Sequence, residues 1–211
     1  MTDAELPSRR RFLGMGGASL VGVLGLAACG GSEEEGGEGG GAEAFPTSDP
    51  GTRRFGEGDV GIANYALTLE YLEAQFYSDV VESDVLSGEA LEFARRFGEQ
   101  EQEHVEALTR LIRSAGGRPA KRPRARFPLE SAQAVLELAA TVEDLGANAY
   151  LGQAAFIKDP EILAAALSIH SVEARHAAAL AELTGGRPVR GAYAEPADAA
   201  TVLEAVRPYL A

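Results

Sequence analysis

Apolar residues recur every three or four positions along four stretches of this chain, which is the spacing of α-helices that bury one face. The stretches predict helices at about 59–82, 88–115, 130–157 and 160–184, with Asp59 as the N-cap of the first. The glycine pair at 116–117 ends the second helix, and a tight turn at Asp159-Pro160 precedes the fourth. Three prolines exclude a helix from residues 116–129. The pattern predicts an all-α four-helix bundle with a long crossover between helices two and three.

The segments outside the predicted bundle, residues 59–184, have other compositions. Residues 29–58 are rich in glycine and glutamate and hold few apolar side chains, which predicts a flexible tether. Residues 185–211 predict a C-terminal tail with one short helix at about 197–207. Residues 1–28 are typical of a targeting signal rather than of a folded element.

This targeting segment resembles two bacterial export motifs. Residues 8–13, Ser-Arg-Arg-Arg-Phe-Leu, are similar to the twin-arginine signal, with Arg9 and Arg10 as its paired arginines. The following apolar run is short for a membrane span and ends in Leu-Ala-Ala-Cys, which resembles the lipobox of lipoproteins. The alternative is a plain signal peptide with an incidental cysteine. The twin-arginine resemblance implies export by that route, and the lipobox resemblance implies anchoring outside the cytoplasm to the cell membrane through lipidated Cys29.

The charge of the chain limits its partners. The formal net charge is -13, so no broad surface would neutralise phosphates, and nucleic acid is not an expected partner. The predicted crossover is basic, and it either docks on anionic lipid headgroups or forms a solvated loop. Its basic residues are Arg118, Lys121, Arg122, Arg124 and Arg126. A homodimer is compatible with these features.

The inward apolar stripe of each predicted helix contains a glutamate. These glutamates are Glu70, Glu101, Glu143 and Glu173. A buried carboxylate without a partner costs several kcal/mol, but two divalent cations would neutralise four carboxylates. Helices two and four also carry His104 and His176, each three residues after a glutamate and therefore on the same helix face. These six side chains predict a two-metal site in the bundle core.

The two halves of the predicted bundle look like repeats of one helix pair. Tyr77 follows Glu70 by seven residues, and Tyr150 follows Glu143 by seven. Glu70 and Glu101 are 31 residues apart, and Glu143 and Glu173 are 30 apart. A metal pair on a pseudo-twofold axis requires such an internal repeat.

Five further side chains are candidates for supporting the metal ligands. They are Glu73, Tyr77, Asp144, Tyr150 and His170. Glu73 competes with Glu70, because both interrupt apolar stripes, and the repeat favours Glu70 as the ligand. His170 is either an extra ligand or a core histidine, and Asp144 either holds a ligand histidine or faces solvent. The two tyrosines either bond to groups at the site, transfer electrons or pack in the core.

Residues 59–184 resemble the ferritin-like superfamily, which includes rubrerythrin-type proteins. The resemblance rests on the segments ALTLEYLEAQFY at 66–77, EQEHV at 101–105, VEDLGANAY at 142–150 and VEARHA at 172–177. It is closest to bacterial ferritin-like domains related to desiccation-associated proteins. The resemblance implies a di-iron or di-manganese centre, bridged by Glu101 and Glu173. It also implies that Glu70 and Glu143 are terminal ligands and that each histidine binds one metal.

The predicted function is that of a redox metalloprotein. It would be an oxidase, a ferroxidase or a peroxide scavenger similar to manganese catalase, acting on O2, peroxide or Fe(II) in stress protection. The competing hypothesis is a non-enzymatic stress or desiccation protein whose metal stabilises the bundle. Iron storage ranks lower, because a tethered chain is poorly suited to closing a cage. Iron and manganese use the same oxygen and nitrogen ligands, so the sequence does not separate them.

Overall fold

The computed structural model describes residues 49–189 and 191–211. Arg9, Arg10, Cys29 and most of the predicted tether lie outside these residues. The helices of the described chain are α1 (Gly58–Glu82), α2 (Gly88–Ser114), α3 (Ala132–Ala154), α4 (Pro160–Leu183) and α5 (Ala199–Val206), with 3-10 helices at Pro50–Phe55 and Arg207–Tyr209. None of these helices is both long and apolar enough to cross a membrane. The predicted all-α bundle with a short C-terminal helix is confirmed.

The four long helices pack as two antiparallel pairs. Helix α1 lies mainly against α2, and α3 lies mainly against α4. Helix α2 buries one narrow stripe, which consists of Ala94, Phe97, Glu101, His104, Val105, Leu108 and Ile112. Helix α1 is buried on more sides, because α2, α3 and the N-terminal 3-10 helix all cover it. The polar members of these stripes therefore face the centre of the bundle.

The start of α1 differs from its predicted cap. The helix begins at Gly58, one residue before the predicted N-cap Asp59. The Asp59 carboxylate instead accepts hydrogen bonds from the backbone N–H groups of Lys158 and Asp159, at 3.1 and 2.6 Å. Asp59 therefore holds the turn between α3 and α4 against the start of α1. Asp159 caps α4 by accepting from the N–H of Ile162 at 3.2 Å.

The crossover between α2 and α3 is held along its length. The Asn64 amide on α1 donates to the carbonyls of Phe55 and Arg118, and its oxygen accepts from the Ala120 N–H at 2.7 Å. Phe127 is buried in the core, and Ala125 pairs with Leu210 of the C-terminal tail. The basic side chains of the crossover are exposed, and they are Arg118, Lys121, Arg122, Arg124 and Arg126.

The C-terminal end of the segment predicted as a tether, from Asp49 onward, packs on the bundle. Asp49 is buried, and it accepts hydrogen bonds from the Gly51 N–H, the Gln153 amide and the Ala199 N–H at 2.7–2.8 Å. Burial raises the pKa of Asp49, but these hydrogen bonds outweigh it and lower the pKa below its usual value. Pro50 and Gly51 of this segment lie in the 3-10 helix Pro50–Phe55.

The C-terminal tail packs on the bundle through α5. Its side chains Val202 and Val206 are buried. The tail crosses α3 at Gly152, where a Cβ would lie 1.9 Å from the Ala197 carbonyl oxygen. Only glycine fits at this close approach. Asp49 bonds to the Ala199 N–H at the start of α5, so the two ends of the folded domain hold each other in place.

Candidate metal centre

The six predicted ligand side chains converge in the centre of the bundle. The four glutamates have no exposed surface, and His104 and His176 are also buried. Helix α1 contributes Glu70, α2 contributes Glu101 with His104, α3 contributes Glu143, and α4 contributes Glu173 with His176. The spacing of three residues on α2 and α4 places each glutamate and histidine on one helix face.

The donor atoms form two adjoining groups. In the first group, His104 Nδ1 lies 3.2 Å from Glu70 Oε2, 2.9 Å from Glu101 Oε2 and 3.2 Å from Glu173 Oε1. In the second group, His176 Nδ1 lies 3.0 Å from Glu101 Oε1 and 3.2 Å from Glu143 Oε2. Glu101 and Glu173 belong to both groups, and the donor atoms of each group lie within 4.8 Å of one another. The two oxygens of Glu101 face different histidines.

The two tyrosines of the repeat bond to glutamates of the opposite half. The Tyr77 hydroxyl on α1 donates to Glu143 Oε1 on α3, and the Tyr150 hydroxyl on α3 donates to Glu70 Oε1 on α1. Burial raises the pKa of both tyrosines well above the usual value, and the nearby glutamates raise it further. Both hydroxyls therefore remain protonated, and each donates to one oxygen of its glutamate. The other oxygen of each glutamate faces a histidine.

His170 and Asp144 lie outside both groups. His170 Nδ1 is 2.9 Å from the Ala147 carbonyl oxygen, and its ring is only half-buried. Asp144 and His170 both line a groove beside the C-terminal tail. The structure therefore does not bring His170 to the cluster as an extra ligand.

Gln100 is a site residue that the helical pattern of the sequence did not indicate. The Nε2 of His176 donates to Gln100 Oε1 at 2.7 Å, so the Nδ1 atom of this ring faces the carboxylates. The Phe97 ring stacks on the same imidazole with a centroid distance of 4.0 Å. Such contacts to the far side of a ligand histidine fix its orientation. Gln100 lies one position off the buried stripe of α2, where a polar residue predicts surface.

Burial raises the pKa values of glutamates in this cluster, and hydrogen bonds with the histidines lower the pKa values of Glu70 and Glu101. Burial raises the pKa of Glu70 to about 7, although the hydrogen bond from His104 opposes it. Burial and the charges of Glu73 and Glu143 raise the pKa of Glu173 well above its usual value. Burial also raises the pKa of Glu101, but hydrogen bonds from the two histidines outweigh it and lower the pKa to about 2.

The pKa values of the two histidines are raised. Burial lowers the pKa of His104 and of His176, but their hydrogen bonds to glutamates outweigh burial. The net effect raises the pKa of His104 to about 10 and that of His176 to about 9. Protons on the two imidazoles and on the glutamates therefore balance the buried charge of the protein itself.

The donor set fits a pair of divalent cations. Both oxygens of the buried Glu173 lack a hydrogen-bond partner among the described residues, although Oε1 lies 3.2 Å from His104 Nδ1. The nitrogen-to-oxygen distances within both groups are 2.9–3.2 Å. Two donor atoms bound at right angles to one ion, with bonds of about 2.1 Å, lie about 3.0 Å apart, so these distances match those between neighbouring ligands of one ion. Four carboxylates and two imidazoles suit iron or manganese and would neutralise two such ions.

Comparisons with known proteins agree with this architecture. Residues 58–186 match the family described as Ferritin-like domain. A conserved hypothetical protein from Mycobacterium tuberculosis has a similar structure, with a TM-score of 0.56 and 17% identity over 64% of this chain and 96% of its own. A hypothetical protein from Methanococcus jannaschii matches with a TM-score of 0.46 and 15% identity over 68% of this chain and 91% of its own. No curated protein matches the sequence. At 17% identity the Mycobacterium tuberculosis structure supports the fold alone.

We expect metal binding to release protons and to strengthen as the pH rises through the neutral range. The raised pKa values of His104 and His176 mean that both rings hold a proton at neutral pH, and each proton must leave before Nδ1 binds a cation. At pH values below the pKa of a histidine, the metal affinity rises about tenfold per pH unit for each proton that the metal must displace. Calorimetric titration with Mn(II) in two buffers of different ionisation enthalpy measures the protons released. A pH-independent affinity without proton release would contradict this account of the cluster.

Proposed function

The chain belongs to the ferritin-like domain family, and we propose that it is a di-iron or di-manganese oxidoreductase that reacts with O2, peroxide or Fe(II) in stress protection. The observation that carries the proposal is the sharing of Glu101 and Glu173 between two groups of donors. Shared carboxylates hold two ions side by side, whereas separate groups would hold isolated ions. A pair of redox-active ions can supply two electrons to one small substrate.

Each half of the bundle would hold one ion. Glu70 and His104 would bind one ion, Glu143 and His176 would bind the other, and Glu101 and Glu173 would bridge them. Tyr77 and Tyr150 hold the two terminal glutamates from the opposite half of the repeat. The site is therefore supported symmetrically, as the repeat in the sequence requires.

The surrounding residues orient the ligands and exclude water. Gln100 and Phe97 fix the ring of His176, so this ligand would need little reorganisation when an ion binds. The apolar residues of the bundle enclose the four glutamates completely. A small molecule such as O2 or peroxide suits this enclosed centre better than a bulky substrate does.

The activity of the metal centre is tested with the variant Glu101→Gln/Glu173→Gln, which keeps the shape of both shared ligands and removes their charges. We expect the full-length protein to contain about two iron or manganese ions, and the variant to lose them together with at least about a hundredfold of its peroxide or Fe(II) consumption. The control Glu99→Gln/Glu103→Gln changes two exposed glutamates of α2 and should retain both properties.

Two results would contradict the redox assignment. This cluster would be excluded as the active centre if the variant and the wild type had equal metal content and consumed peroxide or Fe(II) equally. Loss of thermal stability on metal removal, without turnover by the metal-loaded protein, would indicate a stabilising metal instead.

We further propose that the protein works outside the cytoplasm, anchored to the cell membrane by lipid. The support is the resemblance of residues 8–13 to a twin-arginine signal and the position of Cys29 at the end of the apolar run. The variant Cys29→Ala should lose the attached lipid, because the thiol that carries it is absent. Metabolic labelling with a radioactive fatty acid followed by immunoprecipitation measures this change. Equal labelling of the variant and the wild type, or no labelling of either, would contradict lipid anchoring at this cysteine.

A further inference from the structure

A row of exposed basic side chains lies beside helix α1. Residues 115–129 contain five basic residues and no acidic one, although the whole chain carries a formal net charge of -13. Residues 50–56, in and next to the N-terminal 3-10 helix, contain two further arginines and no acidic residue. We call these seven exposed side chains the basic strip, which consists of Arg53, Arg54, Arg118, Lys121, Arg122, Arg124 and Arg126.

Helix α1 joins the two segments of the basic strip and fixes its first half. The Asn64 amide donates to the carbonyl oxygens of Phe55 and Arg118 at 3.2 and 3.1 Å, so the 3-10 helix and the crossover meet at this side chain. Further along α1, the guanidinium of Arg122 lies over the ring of Tyr71, 4.8 Å from its centre. The first half of the strip therefore has a defined position on the bundle.

The C-terminal tail fixes the second half of the basic strip. The backbone N–H of Arg126 donates to the Tyr209 carbonyl at 2.8 Å, and the N–H of Ala211 donates to the Arg124 carbonyl at 2.9 Å. These two hydrogen bonds flank the bridge between the crossover and the tail. The strip is therefore held at both ends, and its cations do not have to be ordered when a partner binds.

The acidic bundle does not neutralise the cations of the basic strip. The arginine ion pairs of the described chain lie on α2 and at the end of α5, and none of them involves the strip. Arg54 and Arg122 instead lie over the rings of Phe55 and Tyr71, which position a guanidinium without cancelling its charge. A loop that only balanced the acidic body would place its cations against carboxylates. The unpaired charges therefore favour an anionic partner outside the chain.

The position of the strip along the chain indicates which anionic partner is within reach. The described domain begins at Asp49, six residues before Phe55, and Cys29 precedes Asp49 by 20 residues. Twenty residues of chain span at most about 70 Å. A lipid attached at Cys29 would keep the strip within this distance of a membrane, and anionic headgroups attract basic segments at that surface.

We propose that the basic strip docks on anionic lipid headgroups and fixes the orientation of the bundle on the membrane. This inference rests on the proposed anchoring at Cys29 for the choice of partner, but the attraction of the strip to lipid needs no attached fatty acid. The chain outside the strip has a formal net charge of -20, because the strip contributes +7 to the total of -13. An anionic surface repels this remainder, so the bundle approaches it with the strip alone.

The experiment is vesicle sedimentation of the full-length protein carrying Cys29→Ala, so that no attached lipid contributes. The vesicles contain either phosphatidylcholine alone or equal parts of phosphatidylcholine and anionic phosphatidylglycerol. We expect at least about tenfold tighter binding to the anionic vesicles, and a decrease of this preference as the salt concentration rises. The neutral vesicles measure the contribution of the apolar run at residues 12–28, which does not depend on headgroup charge.

Two matched double variants locate the preference on the bundle. Arg124→Gln/Arg126→Gln removes two charges from the strip and should bind anionic vesicles about ten- to thirtyfold more weakly, because each basic residue at an anionic surface strengthens binding about fivefold. Arg95→Gln/Arg96→Gln removes two exposed charges of α2 outside the strip and should lose less than about threefold at about 0.1 M salt. Circular dichroism verifies that both variants are folded.

Equal binding to the two kinds of vesicle, or equal losses in the two double variants, would overturn docking by the strip. Tighter binding to duplex DNA than to anionic vesicles at the same salt concentration would overturn the choice of lipid. The result is separate from that of fatty-acid labelling. An unlabelled wild type would overturn anchoring at Cys29, whereas a vesicle preference that is lost with the strip would still support docking.

Discussion

Four carboxylates buried together in the middle of a helical bundle are the constraint on which the rest of the structure depends. Water does not solvate them, and in the described chain their ion pairs are with His104 and His176 alone. Such a cluster is stable only if protons or metal ions balance its charge. The two histidines and the two tyrosines hold these carboxylates in place, and Gln100 holds the ring of His176 in place.

Much of this arrangement follows from the sequence, because periodicity and repeats are local signals. A glutamate in an apolar helical stripe predicts a buried carboxylate, and the repeat predicts that Glu70 and Glu143 are equivalent. The structure brings all six predicted ligands together. Contacts between helices are not encoded by spacing, so the bonds from Tyr77 and Tyr150 to the opposite half could not be assigned, and Gln100 was indistinguishable from a surface residue.

The ends of the folded domain contribute to the enclosure of the site. Glycine and glutamate dominate residues 29–58 and predicted a tether there, but the buried Asp49 joins the end of this segment to the bundle. Asp49 bonds to the start of α5 as well as to its own 3-10 helix. Helix α5 in turn covers the side of the bundle that contains Glu73 and Gly146. The tail that had no predicted role therefore keeps water from the buried Glu73 carboxylate.

Anomalous X-ray diffraction at the absorption edge of the bound metal tests the central claim most directly, because it locates each ion without assuming its ligands. The account predicts two peaks in the bundle core, about 3.5–4 Å apart, with Glu101 and Glu173 between them and one histidine on each. A single peak, or peaks confined to acidic residues on the protein surface, would contradict it.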